Sequence, residues 1–409
     1  LLVGRVSVGQ RSETVHRANL SSILRGLHEH GSQSRSELVV ATDLTRSAIR
    51  ALVGELAGAG LVIEAPGVRL GTPGRPSPQI RPNPDGAVVL SLEILVDSFA
   101  AAIVGLGGEV LARVRIERPR GEPDVDEVVR ELADLANDLR ARRDWPIVGI
   151  GVAVAGVVRH ADGLVTVAPN LGWIDVPLAA RLARALSVAL PIRVMNDADA
   201  GVLGEHRRGA ATGVDNVLYV SGEVGVGGGL IVDGRLLTGV AGFAGEIGHV
   251  TVNPAGEPCR CGSVGCWETE VGEGRLLALA GHPADAGRAG IDLVLAEAEG
   301  GSESARAAIA HVGRWLGIGI GSLVNVLNPR LVILGGPNGR LYPLVRDMIA
   351  AELDRHALPG PRALVRVIPA DLGVDAPLIG AAEMAFDGLL SDPAAWFGRG
   401  ADHLQLASA

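Results

Sequence analysis

The chain has 409 residues, of which 47% are hydrophobic but only 3% aromatic, and a formal net charge of −9. That length predicts two or three domains with cores of Val, Leu, Ile and Ala. No run of about 18 apolar residues escapes a charge or a Gly/Pro break, which argues against a transmembrane helix. The apolar start "LLVGRVSVGQRSET" has no h-region long enough for a signal peptide. All 37 basic residues are Arg, as GC-rich coding would give. The three cysteines lie in one loop, too few and too close for a disulfide framework, and fit a reducing cytoplasm. The charge is uneven: residues 1–82 carry ten Arg against six acids, a net of +4, and the remainder a net of −13. A basic head on an acidic body predicts that only the head meets a polyanion.

Taken in chain order, residues 17–30 have apolar residues at helical spacing and end at Gly31. A short helix is expected from about Ser36, a turn near Thr42–Leu44, and a second helix with Thr45 as its N-cap. Leu38, Ile49, Leu52 and Leu56 form the buried face. Two short strand-like pieces around Gly67 complete a winged helix-turn-helix over residues 1–76. Its candidate DNA contacts are Thr45, Arg46, Ser47 and Arg50 on the second helix, Arg69 on the wing, and Arg75 in "GRP". The alternative is a basic face that binds protein. Residues 77–86, "SPQIRPNPDG", read as a linker.

Residues 87–117 predict three strands joined by tight turns, followed by a helix at about 123–143. That helix has acids at its start and Arg at its end, as the helix dipole favours. "PIVGIGVAVAGVV" is a buried strand. A second round begins with the hairpin at 216–237 and continues through "LGIGIGSLVNVLNPRLVILGG" (316–336), a helix running into a strand. A helix at 373–390 is expected to close this second half. Two βββαβα-like halves predict an α/β body of the ribonuclease H-like, actin/hexokinase type, with lobes at 87–205 and 206–390 and a tail at 391–409.

Cys259, Cys261 and Cys266 follow His249 by ten residues or more, in the pattern Cys-x-Cys-x4-Cys. Three thiolates and an imidazole satisfy tetrahedral Zn²⁺ with no open position, which predicts one structural zinc per chain. Gly262 and Gly265 let the backbone turn sharply between the sulfurs. The alternative is three small core residues.

"GEIGHV", "CRCGSVGCWE", "APNLGW" and "NDADA" together resemble the ROK family of repressors, open reading frames and kinases. The resemblance runs from about residue 35 to 390 and includes the winged head that only the regulator branch carries. It implies a cleft that holds a sugar by its hydroxyls through Asn196, Asp197, Glu246, His249 and Glu268, with Asn170 a further candidate. These residue types suit a sugar, since carboxylates accept pairs of hydroxyl hydrogens, and an Asn amide both donates and accepts. A bound sugar needs many such partners because its polar atoms lose water. His249 would serve twice, one ring nitrogen on metal and the other toward a hydroxyl. The zinc knot would thus hold the sugar-reading wall rigid.

In a ROK kinase Asp197 would be the general base. The resemblance also implies two phosphate turns, and both are altered here. In "SLEILVDS" (91–98) Glu93 stands for the usual Asp, Leu95 and Val96 for two glycines, and Asp97 for the Thr. In "SGEVGVG" (221–227) Glu223 replaces a Thr, and Pro337 breaks the third glycine of "ILGGPNG". Bulk where amides should approach phosphate, and carboxylates where phosphate should sit, oppose nucleotide binding. The expectation is a cytoplasmic, sugar-responsive regulator, a repressor of carbohydrate uptake or catabolism genes, with Asp197 as a vestigial base. It would bind a sugar or sugar phosphate, and, as a dimer or dimer of dimers, a pseudo-palindromic operator. The alternative is an active ATP-dependent sugar kinase fused to a DNA-binding head.

Overall fold

A computed structural model describes residues 8–66 and 78–397. The head opens with α1 (Val8–His30), which starts earlier than its apolar spacing indicated. Leu20, Ile23, Leu24 and Leu27 are fully buried, at the spacing of one helix face. After β1 (Gln33–Ser34), a capping box starts α2 (Arg35–Thr42): Ser34 Oγ accepts from Glu37 N (3.2 Å) and Ser34 N donates to the Glu37 carboxylate (2.6 Å). Asp43 turns the chain in the left-handed conformation (φ 55°), and α3 (Arg46–Gly58) follows with Thr45 as its N-cap. The buried face of α3, Ile49, Leu52, Val53 and Leu56, joins that of α1 in one core.

The wing sheet corrects one expectation. It is antiparallel, in the order β1-β3-β2, with β2 (Val62–Ala65) paired to β3 (Gln79–Pro82). β3 therefore lies inside the stretch 77–86 that reads as a linker. The second strand-like piece near Gly67, together with Arg69 and Arg75, falls outside the described residues.

The first lobe is built on β4 (Val88–Ile94), β5 (Ser98–Gly105) and β6 (Val110–Glu117), an antiparallel meander. α4 (Val125–Ala141), capped by Asp124, leads to β7 (Ile147–Val154), parallel to β4. A small sheet of β8 (Val157–Arg159), β9 (Leu164–Ala168) and β10 (Trp173–Pro177) branches off. α5 (Leu178–Leu186) and β11 (Ile192–Asn196) then bring the chain to α6 (Asp197–Arg208). β4, β5 and β7 are buried along their whole length, and their near-continuous apolar runs follow from cover on both faces.

The second lobe repeats the plan with β12 (Val217–Gly222), β13 (Val226–Val232) and β14 (Arg235–Leu236). α7 (Trp267–Val271), α8 (Glu273–Ala280), α9 (Gly287–Glu299) and α10 (Glu303–Leu327) come next. β15 (Leu331–Gly335), α11 (Gly336–His356), α12 (Pro359–Leu364) and β16 (Arg366–Pro369) complete it, and α13 (Ala376–Ser391) follows. The two five-stranded sheets, β6-β5-β4-β7-β11 and β14-β13-β12-β15-β16, have the same order: three antiparallel strands, then two parallel. This is the duplicated ribonuclease H-like, actin/hexokinase-type body. Among the described residues α10 alone is long and apolar enough to cross a membrane; Ile309, Val312, Leu316 and Ile320 bury it in the second core.

α13 does not close the second half. It covers β4 and β7 of the first sheet and packs along α6. Gly149 admits it: a Cβ there would lie 2.8 Å from Ala385 O. The reason is physical, since β4 and β7 are apolar on both faces and α4 and α5 cover only one. Residues 391–397, expected as the start of a tail, end α13 and form a 3-10 turn at Pro393–Trp396 against α1.

Candidate functional site

Two isolated bridges, Thr251 with Cys266 and Pro258 with Val264, fold the cysteine loop back on itself. The three thiols are free, and with His249 Nδ1 their sulfurs all lie within 4.8 Å of one another. His249 Nδ1 is 3.7 Å from Cys259 Sγ, and Cys261 Sγ is 3.6 Å from Cys266 Sγ. These are the edges of a tetrahedron whose metal–sulfur bonds are about 2.3 Å. The donors therefore fit a closed four-coordinate metal, and the cluster could hold one. Gly265 (φ +71°) is obligatory, because any Cβ would overlap Asn253 O.

Residues that sequence reasoning missed anchor this loop. Asn253 Nδ2 donates to Glu270 Oε1 (2.6 Å), and Glu270 Oε2 meets His311 Nε2 on α10 (2.9 Å). Trp267, fully buried, donates from Nε1 to Trp315 O (2.9 Å). Asn253, Glu270, Trp267 and His311 carried no local signal, since each works through a partner distant in sequence.

Of the residues expected to read a sugar, the structure brings Asp197, Glu246, His249 and Glu268 near one another. Glu268 Oε1 lies 3.0 Å from Cys259 Sγ and 3.8 Å from His249 Nδ1. Glu246 precedes the 3-10 turn Ile247–His249 and faces both His249 and Glu268. Asp197 opens α6; burial and the facing Glu246 push its carboxyl up to about 6. Asn170 Oδ1 accepts from Arg260 Nη1 (3.0 Å), tying a first-lobe turn to the cysteine loop. Asn196 is engaged otherwise. Its Oδ1 caps α6 at Ala198 N (2.8 Å) and Asp199 N (3.2 Å), and its Nδ2 donates to Gly156 O (3.0 Å). One N–H is left for a ligand, so Asn196 chiefly positions Asp197. Asp199, also missed, is buried with neither oxygen hydrogen-bonded, 3.8 Å from His160 Nε2.

On the head, Arg46, Ser47 and Arg50 are exposed on α3, and neither Arg has an ion-pair or hydrogen-bond partner among the described residues. Thr45 Oγ1 is occupied as the cap, accepting from Ala48 N (3.3 Å) and lying 3.1 Å from Ser47 Oγ.

The two altered turns meet in a chain of charges. Glu93, fully buried, is ion-paired with Arg115. Asp97 pairs with Arg120 Nη2 (3.0 Å) and lies 3.7 Å from Arg288 Nε. Arg288 Nη2 in turn lies 3.7 Å from Glu223 Oε2, and Arg120 also holds Glu273 (3.0 Å). The chain crosses from the first lobe (Asp97, Arg120) to the second (Glu223, Glu273, Arg288). Gly336 of "ILGGPNG" has an open face, and it holds Glu223: a Cβ there would sit 2.8 Å from Glu223 Oε1. Acidic side chains and their Arg partners thus line the turns that the resemblance assigns to phosphate.

This arrangement has a pH signature. Burial pushes Glu93 up to about 7 against Arg115, and Glu223 up to about 7 against Arg288. Each folded-state carboxyl keeps a proton that the unfolded chain releases near pH 4.3. Their contribution to stability is therefore full below about pH 4.3 and is lost as pH rises to about 7. The Tm should fall between pH 5 and 7.5, and Glu223→Gln should flatten that fall by about 1–3 kcal/mol. A wild-type Tm that rises over this range by thermal melting would contradict it.

Fold and site together define a two-lobed, sugar-kinase-like body that carries a winged helix-turn-helix head. The ROK family profile matches residues 89–387, and the chain belongs to the ROK family. It is 29% identical over 386 residues to the xylose repressor of Caldicellulosiruptor bescii, covering 91% of this chain and 96% of that one. A solved ROK family transcriptional regulator, a homologue of the E. coli Mlc protein, superposes with a TM-score of 0.76 at 27% identity, over 92% of this chain and 98% of its own. The glucokinase of Streptomyces coelicolor is 30% identical over 315 residues, 97% of its length but 73% of this chain. The regulator matches are too long to be confined to the body; the kinase match is body-sized.

Proposed function

We propose that this chain is a sugar-responsive DNA-binding repressor whose kinase-derived body binds its effector without phosphorylating it. The observation that carries this reading is the Asp97–Arg288–Glu223 chain at the phosphate turns, below a head whose helix-turn-helix exposes Arg46 and Arg50. The chain is not an enzyme: the likeness that extends over 91–92% of its length is to regulators. Thr45, Arg46, Ser47 and Arg50 meet operator DNA, with Arg69 and Arg75 as further contacts. A homodimer or dimer of dimers reads a pseudo-palindromic site in the cytoplasm.

His249, Cys259, Cys261 and Cys266 hold one structural Zn²⁺ per chain. Bound there, the metal supplies a cross-link and no reaction chemistry. Asp197, Glu246, His249 and Glu268 take the sugar hydroxyls, Asn170 closes the rim, and Asn196 offers its remaining N–H.

The effector is an unphosphorylated sugar. The site gathers the carboxyl groups of Asp197, Glu246 and Glu268, none of which is ion-paired with an Arg among the described residues. At an effective dielectric of about 20, two like charges about 7 Å apart repel by roughly 2 kcal/mol. Calorimetry against D-xylose, D-glucose, N-acetyl-D-glucosamine and their terminal phosphates tests this. A neutral sugar should bind, and its phosphate at least about 100-fold more weakly, about 2.7 kcal/mol. Binding of a phosphorylated sugar alone would contradict it.

A further inference from the structure

α6 runs from the effector cleft to the head. Its first residue is Asp197 and its last two are Arg207 and Arg208, a span of 12 residues or about 18 Å. At the far end Arg208 Nη1 donates to His28 O (2.8 Å). That carbonyl is among the last four of α1, which have no partner within their own helix. Arg207 Nη1 reaches Glu29 Oε1, also on α1, at 2.6 Å.

The same joint includes α13. Arg208 Nε donates to Glu383 Oε1 (2.6 Å), and Glu383 Oε2 lies 2.9 Å from His28 Nε2. His28 Nδ1 accepts from Gly107 N (2.9 Å). The ring therefore carries its proton on Nε2 and donates it to Glu383. His28 is fully buried, and the Glu383 side chain is 4% exposed. Burial pushes the Glu383 carboxyl up, but the hydrogen bonds from His28 and Arg208 and the Arg208 charge hold it below its ordinary value. Removing one partner from such a buried, ion-paired joint is costly, whereas the exposed pairs nearby, such as Arg17 with Asp392, carry little.

α6 and α13 leave each other no room to slide. A Cβ on Gly380 would overlap Ala200 O, and one on Gly204 would overlap Ala376 O. Close-packed backbones of this kind shift as one body. α1, held by that body, shares its core with α3.

Resting on the reading of this chain as a sugar-responsive repressor, we propose that α6 is the coupling element between cleft and head, with Arg207, Arg208 and Glu383 as positioning residues for α1. Effector contacts at Asp197 displace the start of α6. The Arg208–Glu383–His28 joint passes that displacement to α1, and α1 re-aims α3. Both sites bias one rigid element, which gives the linkage a physical carrier.

The test uses full-length, zinc-loaded protein, an operator selected by the wild type from random duplex DNA, and D-xylose and D-glucose as probes. In the wild type, the sugar that binds should change operator affinity by about 5- to 150-fold. In the Arg207→Gln/Arg208→Gln double variant, sugar affinity should stay within about 3-fold while the sugar effect on DNA falls below about 2-fold, against that same coupling scale. Hydrogen exchange at residues 24–30 should respond to sugar in the wild type and not in the double variant. Glu383→Gln, which keeps the side-chain shape, should lose part of the effect and serves if the double variant does not fold. A variant that binds sugar normally and keeps the full effect on DNA overturns the proposal. A wild type that binds neither of these sugars nor N-acetyl-D-glucosamine overturns the functional reading, and the coupling with it.

Discussion

Replacing Cys261 with Ser should release the metal and abolish sugar binding while the head stays folded. Cys261 is the exposed one of the three cysteines, so its loss creates no cavity and the effect reports on coordination. A structural zinc site contributes apparent binding energies on the order of 10–16 kcal/mol in small peptides at pH 7, and losing one of its four ligands removes most of the advantage of closure. The loop carries His249 and borders Glu268, and Glu246 lies three residues before His249. Sugar affinity should therefore fall by at least about 100-fold, or about 2.7 kcal/mol. The second core rests on Trp267, Leu277, Ile291 and Leu316, none of which is a ligand, so the lobe should not unfold as a whole. The head core of Leu24, Leu27, Ile49 and Leu56 lies further away still. Elemental analysis of wild type purified without chelator should find one zinc per chain, and of the variant almost none. Well under one zinc in the wild type would contradict the assignment.

What could be read from sequence divides along the range of the interactions. The helix-turn-helix was legible because its signals are local: Thr45 before an apolar-periodic run caps α3, and the turn at Thr42–Leu44 lies at Asp43. The meander at 87–117 and the hairpin at 216–237 were legible for the same reason. The cysteine cluster was legible because spacing alone brings its sulfurs close. β3 was not, because its partner β1 lies far back in the chain and its Pro/Gly-rich flanks look like linker. The destination of α13 was not, because periodicity shows that a helix has an apolar face and not which sheet it covers. Asn196 illustrates a chemical ambiguity: the amide that suits a sugar hydroxyl equally suits two backbone N–H groups. The carboxylates at the phosphate turns were visible, but Arg120 and Arg288, which neutralise them, come from elsewhere in the sequence.

The sugar should act on DNA from a distance. Operator affinity should change by about 5- to 150-fold on saturation with the sugar that binds, release being the sign expected of a repressor, and operator binding must change sugar affinity by the same factor. Glu246→Ala removes a carboxylate that faces Asp197, His249 and Glu268 without touching the head. It should keep operator affinity without sugar and lose the response at sugar concentrations that saturate the wild type. The direct test is operator affinity by fluorescence anisotropy, with and without sugar, in wild type and Glu246→Ala. The account predicts a sugar-dependent loss of affinity in the wild type and none in the variant. Tight sugar binding that leaves wild-type operator affinity unchanged would contradict it.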